Sequence, residues 1–237
     1  MMQLKGKVVF VTGANRGLGQ VLTRLLLDAG VEKVYAASRR RPEEVDHRVQ
    51  WIELDVTNFE GVEIAAAQCR DVDLVINNAA VLVAGSLTSS DSVDVLRRHL
   101  EVNVLGLLAV SKAFAPVLKL NGGGGIVNIL SGVTWFSLPG KSAYSASKSA
   151  AWGISNGLRQ ELYSQGTFVL NVHPGYIDTD MASDVDAVKT APEDVARAIL
   201  QGIEAEQKEV LVDEGPRQIK QSLSSAEPIY LIPDLQL

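Results

Sequence analysis

The chain is poor in several things, and each shortage narrows what it can be. One cysteine, Cys69, stands among 237 residues, which excludes an internal disulfide framework. It sits in the run Ile64-Ala65-Ala66-Ala67-Gln68-Cys69 and is expected to be a small buried side chain. The three histidines, His47, His99 and His173, are too scattered to form a metal site, and the lone cysteine adds nothing to one. Positive charge is also short. With 22 Lys and Arg against 28 Asp and Glu, the formal net charge is −6, which argues against nucleic acid or an anionic membrane as the main partner. No apolar run approaches the roughly 20 residues needed to span a bilayer, and the first one begins almost at once at Val8, so no signal peptide is expected before the first strand. The expected location is cytoplasmic.

What remains is an ordinary globular balance, 46% hydrophobic and 21% charged residues. The length suits one large α/β domain over 1–237, and no repeat, linker or shift in composition divides it. Lys7–Thr12 is a continuous apolar run that breaks at Gly13, as a strand buried on both faces does. Gly13, Gly17 and Gly19 follow, and then Gln20–Ala29 carries apolar residues at helical spacing. A glycine-rich turn between a buried strand and a helix is a phosphate cradle, because backbone N–H groups and the helix N-terminus face the anion. The spacing is G-x-x-x-G-x-G, not the commoner G-x-G-x-x-G.

The second strand, Lys33–Ser38, ends at Arg39-Arg40-Arg41. An acidic residue at this point of a βαβ unit would hold adenosine ribose hydroxyls, whereas an arginine suits a 2′-phosphate. Arg16, within the glycine loop, could reach the same phosphate. Val49–Leu54 and Asp73–Asn77 are further strands, ending at Asp55-Val56 and Asn77-Asn78-Ala79-Ala80. From Asp91 to about Lys119 the pattern is one long amphipathic helix with Asn103, a poor helix residue, at its middle; it is either a buried group with a partner or an exposed one without consequence. Gly122–Gly125 is expected to be a flexible lead-in to the strand Ile126–Leu130, which delivers Ser131. A helix from Ala143 to about Tyr163, a strand Phe168–Val172, a helix Pro192–Glu206 and a strand Glu209–Asp213 complete the chain. Strands alternating with helices predict a Rossmann-type doubly wound parallel sheet with helices on both faces.

Tyr144 and Lys148 stand at i and i+4, on one helical face and one turn apart. Serines and alanines surround them, so nothing bulky blocks a ligand. An ammonium group near a phenol favours the phenolate and makes the phenol a better acid near neutral pH. Ser131 could supply a second hydroxyl to the same carbonyl oxygen.

Taken in order, Thr12-Gly13-Ala14-Asn15-Arg16-Gly17-Leu18-Gly19, Asp55-Val56, Asn77-Asn78-Ala79-Ala80, Asn103, Ser131, Tyr144-x-x-x-Lys148 and Pro174-Gly175 resemble the short-chain dehydrogenase/reductase family in its classical subtype. The match runs from about Lys7 to Asp213. The resemblance implies that Ser131, Tyr144 and Lys148 are catalytic and that Asn103, buried and partnered, completes a proton relay. It implies a nicotinamide dinucleotide held by Gly13, Asn15, Arg16, Gly17, Leu18, Gly19, Ser38, Arg39, Asp55, Val56, Asn78, Ala79, Ala80, Tyr144, Lys148, Pro174, Gly175, Ile177 and Thr179. Arg39 with Arg16 looks like the branch that prefers NADP (NADPH). The substrate side would be lined by Val133, Trp135, Phe136, Leu138 and Tyr176, with Val81 and Val83 opposite. These side chains carry no charge, so an uncharged ketone or aldehyde with an apolar or aromatic group is the expected small-molecule substrate. Ala80 stands where glycine is usual, and the stretch from Asp180 to Ala191 is short for a substrate cover. Glu214-Gly215-Pro216 replaces the glycine-rich ending of many tetrameric members, which counts against a tetramer and leaves a homodimer. Two other readings share these residues: a reductase of acyl groups on a carrier protein, and a non-catalytic dinucleotide sensor.

Overall fold

The structure, a computed structural model, describes residues 2–41 and 46–232. Seven strands, β1 (Val8–Thr12), β2 (Lys33–Ser38), β3 (Val49–Glu53), β4 (Leu74–Asn77), β5 (Gly125–Ile129), β6 (Phe168–His173) and β7 (Glu209–Leu211), form one sheet in the order β3-β2-β1-β4-β5-β6-β7. Every pairing is parallel. β1, β4 and β5 are buried at every position. That is why they read as unbroken apolar runs rather than alternating ones: side chains on both faces meet helices.

The helices are α1 (Gly17–Asp28), α2 (Phe59–Gln68), α3 (Ser92–Leu100), α4 (Leu107–Leu120), α5 (Ser142–Glu161), α6 (Pro192–Glu204) and α7 (Glu214–Ser222). One face of the sheet packs Val9, Val11, Ile76 and Val172 under Leu22 and Leu26 of α1 and Ile199 and Ile203 of α6. The other packs Phe10, Val75 and Ile126 under Val110, Phe114 and Leu118 of α4 and Ala151 and Leu158 of α5. Phe10 and Phe114 meet at a ring separation of 4.4 Å. Cys69 lies fully buried in this second layer, and burial pushes its thiol up to about 12.

Three expectations need correction. The long helix is interrupted: α3 and α4 are joined by a π-helical turn, Glu101–Gly106, which contains Asn103. The joined helix, Ser92–Leu120, is also long and apolar enough by length and composition to cross a membrane. The sequence reading missed this because polar residues interrupt each apolar run, but Val104, Leu107, Val110, Phe114 and Leu118 are spent on the protein core. Finally, Gly122–Gly124 form a shaped turn, and Gly125 already belongs to β5. At Gly124, φ is +63° and a Cβ would stand 2.1 Å from the Asp73 carbonyl oxygen, so only glycine lets the two backbones approach.

Candidate active site

The strand order reverses beside β1, with β2 on one side and β4 on the other. The loops leaving the C-terminal ends of β1 and β4 therefore part and open a crevice, the usual ligand position on such a sheet. Thr12 ties these loops together. Its Oγ1 accepts hydrogen bonds from the backbone N–H groups of Asn78 and Ala79, both at 3.0 Å, and Asn78 Nδ2 donates to the carbonyls of Thr12 and Gly13 at 3.0 and 3.2 Å. Gly19 packs so closely that a Cβ would lie 2.2 Å from the Gly13 carbonyl oxygen.

The N-terminus of α1 opens on this crevice. Its N-cap, Arg16, makes no side-chain cap, and the first turn holds no acidic residue, so the positive end of the helix is left for an external anion. Arg16 itself is exposed and reaches Asp180 at 3.4 Å. At the end of β2 the buried Ser38 hydroxyl donates to the Arg40 carbonyl at 2.7 Å, closing a turn that leaves Arg39 extended toward solvent. Arg39 Nη1 lies 3.8 Å from Asp55 Oδ2. Asp55 spends Oδ1 on the N–H and hydroxyl of Thr57. The crevice thus offers a capless helix end, two exposed guanidiniums and a fixed carboxylate, a set of groups that fits a dinucleotide.

Across the crevice, α5 carries Tyr144 and Lys148 on one face, as their spacing requires. Small residues let α5 approach its neighbours. Ser147 donates to the Tyr144 carbonyl at 2.7 Å and accepts from Asn103 Nδ2 at 2.9 Å. Ser149 donates to the Thr134 carbonyl at 2.6 Å. Asn103 is buried and fully partnered: its Oδ1 accepts from Val81 N–H at 2.8 Å, and its Nδ2 donates to the Val81 carbonyl at 3.0 Å. Asn103 therefore clamps the loop after β4 to α5.

Lys148 is buried, and its Nζ donates to the Ile129 carbonyl at 2.8 Å. The nitrogen lies 5.5 Å from the centre of the Tyr144 ring. Desolvation lowers the Lys148 ammonium to about 8. Desolvation also pushes the Tyr144 phenol well above its ordinary value, and the Ser131 hydroxyl pulls it only partly back. Desolvation here outweighs the acidifying effect expected of Lys148. In this state the ammonium is drawn onto the Ile129 carbonyl, and loss of water dominates at the phenol.

Ser131 is buried at the end of β5, N-capping the short turn Gly132–Thr134, with its Oγ accepting from Val133 N–H at 3.3 Å. Beyond it, Val133 and Leu138 are half-buried and Phe136 is buried. Trp135 stacks on His173 at 4.2 Å and 24°, meets Trp152 edge-on, and has Lys220 over its ring at 5.6 Å. One face of the indole is therefore committed to packing and is not free to line an apolar pocket. Pro174, Gly175, Tyr176, Ile177 and Thr179 run along the crevice rim. Ile177 bridges to Thr190, and Gly175 N–H donates to Asp213 Oδ2 at 2.8 Å. Lys141 donates to the Tyr176 hydroxyl at 3.2 Å, placing a cation at a rim that was expected to carry none.

Sequence reasoning missed four contributors. His99 is fully buried on α3; Nδ1 faces the Val95 carbonyl at 2.8 Å and Nε2 accepts from Val83 N–H at 3.1 Å, so these partners set a neutral ring with the proton on Nδ1. Burial lowers its pKa, and it meets the Tyr144 ring edge-on at 5.9 Å. Its place four residues before Asn103 was the available signal. Thr12, Asp213 and Lys141 are the others; for Asp213 and Lys141 the partner is distant in sequence and no local pattern announces it.

Residues 7–190 match the family described as short chain dehydrogenase. The fold is similar to that of a short chain dehydrogenase from Burkholderia cenocepacia solved in complex with NADP, 38% identical, covering 95% of each chain with a TM-score of 0.91. An uncharacterised oxidoreductase of Staphylococcus saprophyticus is 31% identical over 86% of this chain and 94% of its own length. The ligand-free aldohexose dehydrogenase of Thermoplasma acidophilum is 26% identical, with a TM-score of 0.81 over 94% of this chain and 98% of its own.

Proposed function

Because the chain belongs to the short-chain dehydrogenase family, we propose that this oxidoreductase is an NADPH-dependent carbonyl reductase acting on uncharged ketones or aldehydes that bear an apolar or aromatic group. The observation that carries this reading is the convergence of Ser131, Tyr144 and Lys148 on one wall of the crevice, opposite the glycine loop. A dinucleotide sensor has no need of it.

The cofactor, when bound, supplies the hydride. Gly13, Asn15, Gly17, Leu18 and Gly19 would hold its pyrophosphate; Arg16, Ser38 and Arg39 its 2′-phosphate; Asp55 and Val56 its adenine. Asn78, Ala79, Ala80, Pro174, Gly175, Ile177 and Thr179 would hold the nicotinamide half. NADP in the Burkholderia relative's crystal structure supports the same choice here. Ser131 and Tyr144 hydrogen-bond the substrate carbonyl oxygen. A desolvated phenol keeps its proton through the resting state and releases it to the oxygen as negative charge develops there. Lys148, within the same turn of α5, stabilises the phenolate left behind. Asn103 holds the floor of this site through Val81 and Ser147 and leads toward a proton relay. Val133, Phe136 and Leu138 supply the apolar substrate wall. The chain is read as one domain working as a homodimer in the cytoplasm. A carrier-bound acyl substrate is disfavoured because Leu118–Gly124, ahead of β5, offers only the Lys119 charge to an acidic carrier.

Lys141 favours a second reading, in which its ammonium at the rim pairs with a carboxylate on the substrate. Turnover of a small carbonyl panel with NADPH, followed by absorbance, separates the two. Apolar ketones are expected to exceed keto acids by about tenfold or more in kcat/KM, a gap of about 1.4 kcal/mol. Tyr144→Phe should lower kcat by about 10²-fold or more with NADPH affinity unchanged. Preference for keto acids would transfer the assignment to the Lys141 reading. NADPH binding without any turnover would leave the sensor.

A further inference from the structure

His173 closes β6 directly beneath Ser131 and is fully buried. Its Nδ1 lies 3.0 Å from the Ser131 carbonyl oxygen, so this nitrogen must carry the proton. Burial lowers the ring's pKa to about 4, so the imidazole is neutral and its Nε2 presents a lone pair, 3.4 Å from Glu209 Oε1 and without a hydrogen-bond partner among the described residues. A neutral imidazole between two acceptors satisfies one of them and turns its lone pair on the other. Glu209 also pairs with Lys220 of α7, which offsets the carboxylate charge and leaves the contact tolerable. The Trp135 ring covers the imidazole from one side.

An unpaired polar atom in such a position is costly, and an apolar side chain would avoid that cost. What the imidazole provides, and an apolar group could not, is the hydrogen bond to Ser131. The Ser131 carbonyl also accepts from Thr134 N–H at 3.2 Å and Thr134 Oγ1 at 2.7 Å, but these bonds lie within its own turn and shape it without placing it. His173 and the Gly132 N–H bond to the Pro174 carbonyl at 2.8 Å tie the turn to the end of β6.

We propose that His173 is a positioning residue for Ser131, held on the Nδ1–H tautomer by the Ser131 carbonyl. The inference rests on the reductase reading given above, in which the Ser131 hydroxyl meets the substrate oxygen. A fixed carbonyl fixes the Ser131 backbone, and with it the direction of Oγ toward Tyr144.

Two amide substitutions test this. His173→Asn sets an amide N–H where Nδ1 stood and keeps the donor to Ser131. His173→Gln sets it where Nε2 stood, facing Glu209, and removes that donor. Both lose the ring that stacks on Trp135, so both should lower Tm by similar amounts. The expected result is kcat within about twofold of wild type for His173→Asn and about three- to tenfold lower for His173→Gln, the scale of one hydrogen bond. KM and the NADPH Kd, read by fluorescence titration, should be unchanged in both. Equal kcat in the two variants, or losses that follow Tm rather than the donor, would overturn the proposal. Ser131→Ala, assayed alongside, keeps the two ideas apart. If it leaves carbonyl reduction intact, the reductase assignment of Ser131 fails. If it abolishes reduction while both His173 variants match wild type, only the positioning role fails.

Discussion

Lys148→Met exchanges a buried ammonium for an apolar side chain of similar length at the centre of the candidate site. The difference between an ordinary 10.5 and about 8 for Lys148 corresponds at pH 7 to about 3 kcal/mol paid by the folded state to keep the group charged without water. The hydrogen bond from Nζ to the Ile129 carbonyl returns about 1.5–3 kcal/mol, the range for a charged donor. Methionine removes both, so the variant should be more stable by about 1 kcal/mol, or roughly 2–4 °C in Tm for a chain of this size. The pH dependence is a sharper test. The folded-state pKa lies below the unfolded one, so between about 8 and 10.5 the unfolded chain binds more protons and the contribution of Lys148 to stability rises with pH. Below about 8 that contribution is at its least favourable. Urea unfolding of both proteins at pH 7 and pH 10 isolates this lysine, because every other group cancels in the difference. The advantage of the variant should shrink or reverse, by about 2–3 kcal/mol. A gap that does not change with pH, or a variant several kcal/mol less stable at pH 7, would refute the claim that desolvation governs this amine. Loss of turnover in the same variant would show that the stability penalty is retained for catalysis.

Arg39→Asp should reverse cofactor choice. A charge-assisted contact to a 2′-phosphate is worth roughly 1.5–3 kcal/mol, so the unmodified protein should bind NADPH about tenfold to a hundredfold more tightly than NADH. Equal Kd values for the two would sink the assignment of Arg39. Trp135→Ala should cost about 3 kcal/mol in denaturant titration, because the ring fills the space against His173 and Trp152; it should lower kcat/KM alike for every substrate. A selective loss for aromatic ketones with stability intact would return Trp135 to the pocket wall.

Strands and the glycine turn were legible in the sequence because burial on both faces leaves an unbroken apolar run, and each run gives way to a residue the loop needs: Gly13 after β1, Asn78 after β4, Ser131 after β5. The i, i+4 pair on α5 was equally plain. Two helices were not recognised. In α2 the reading registered only an apolar run from Ile64, although Asn58 caps the helix through a bond from Gly61 N–H. In α7 the opening Glu214-Gly215-Pro216 resembles a loop, and few of its residues are buried; Pro216 and Ile219 make its inward contacts. The electrostatics of the pair were misjudged for a different reason. Spacing puts Lys148 beside Tyr144, but it does not reveal the Ile129 carbonyl that draws the ammonium away. His173, Glu209 and Lys220 meet only through the tertiary structure, and no local pattern marks them.

The π-helical turn at Glu101–Gly106 has a consequence for how this helix tolerates insertions and deletions. An α-helix advances 100° per residue, and a π turn accommodates one residue more than the α-helical path requires. The segment therefore acts as a phase shifter between α3 and α4. Before it His99, and within it Asn103, face the crevice; beyond it Val110 and Phe114 face the sheet. Deleting a single residue there would let the helix close into uninterrupted α geometry and swing α3 by about 100° around its axis. His99 would leave the Tyr144 ring and the Val83 N–H together, although neither partner had been altered.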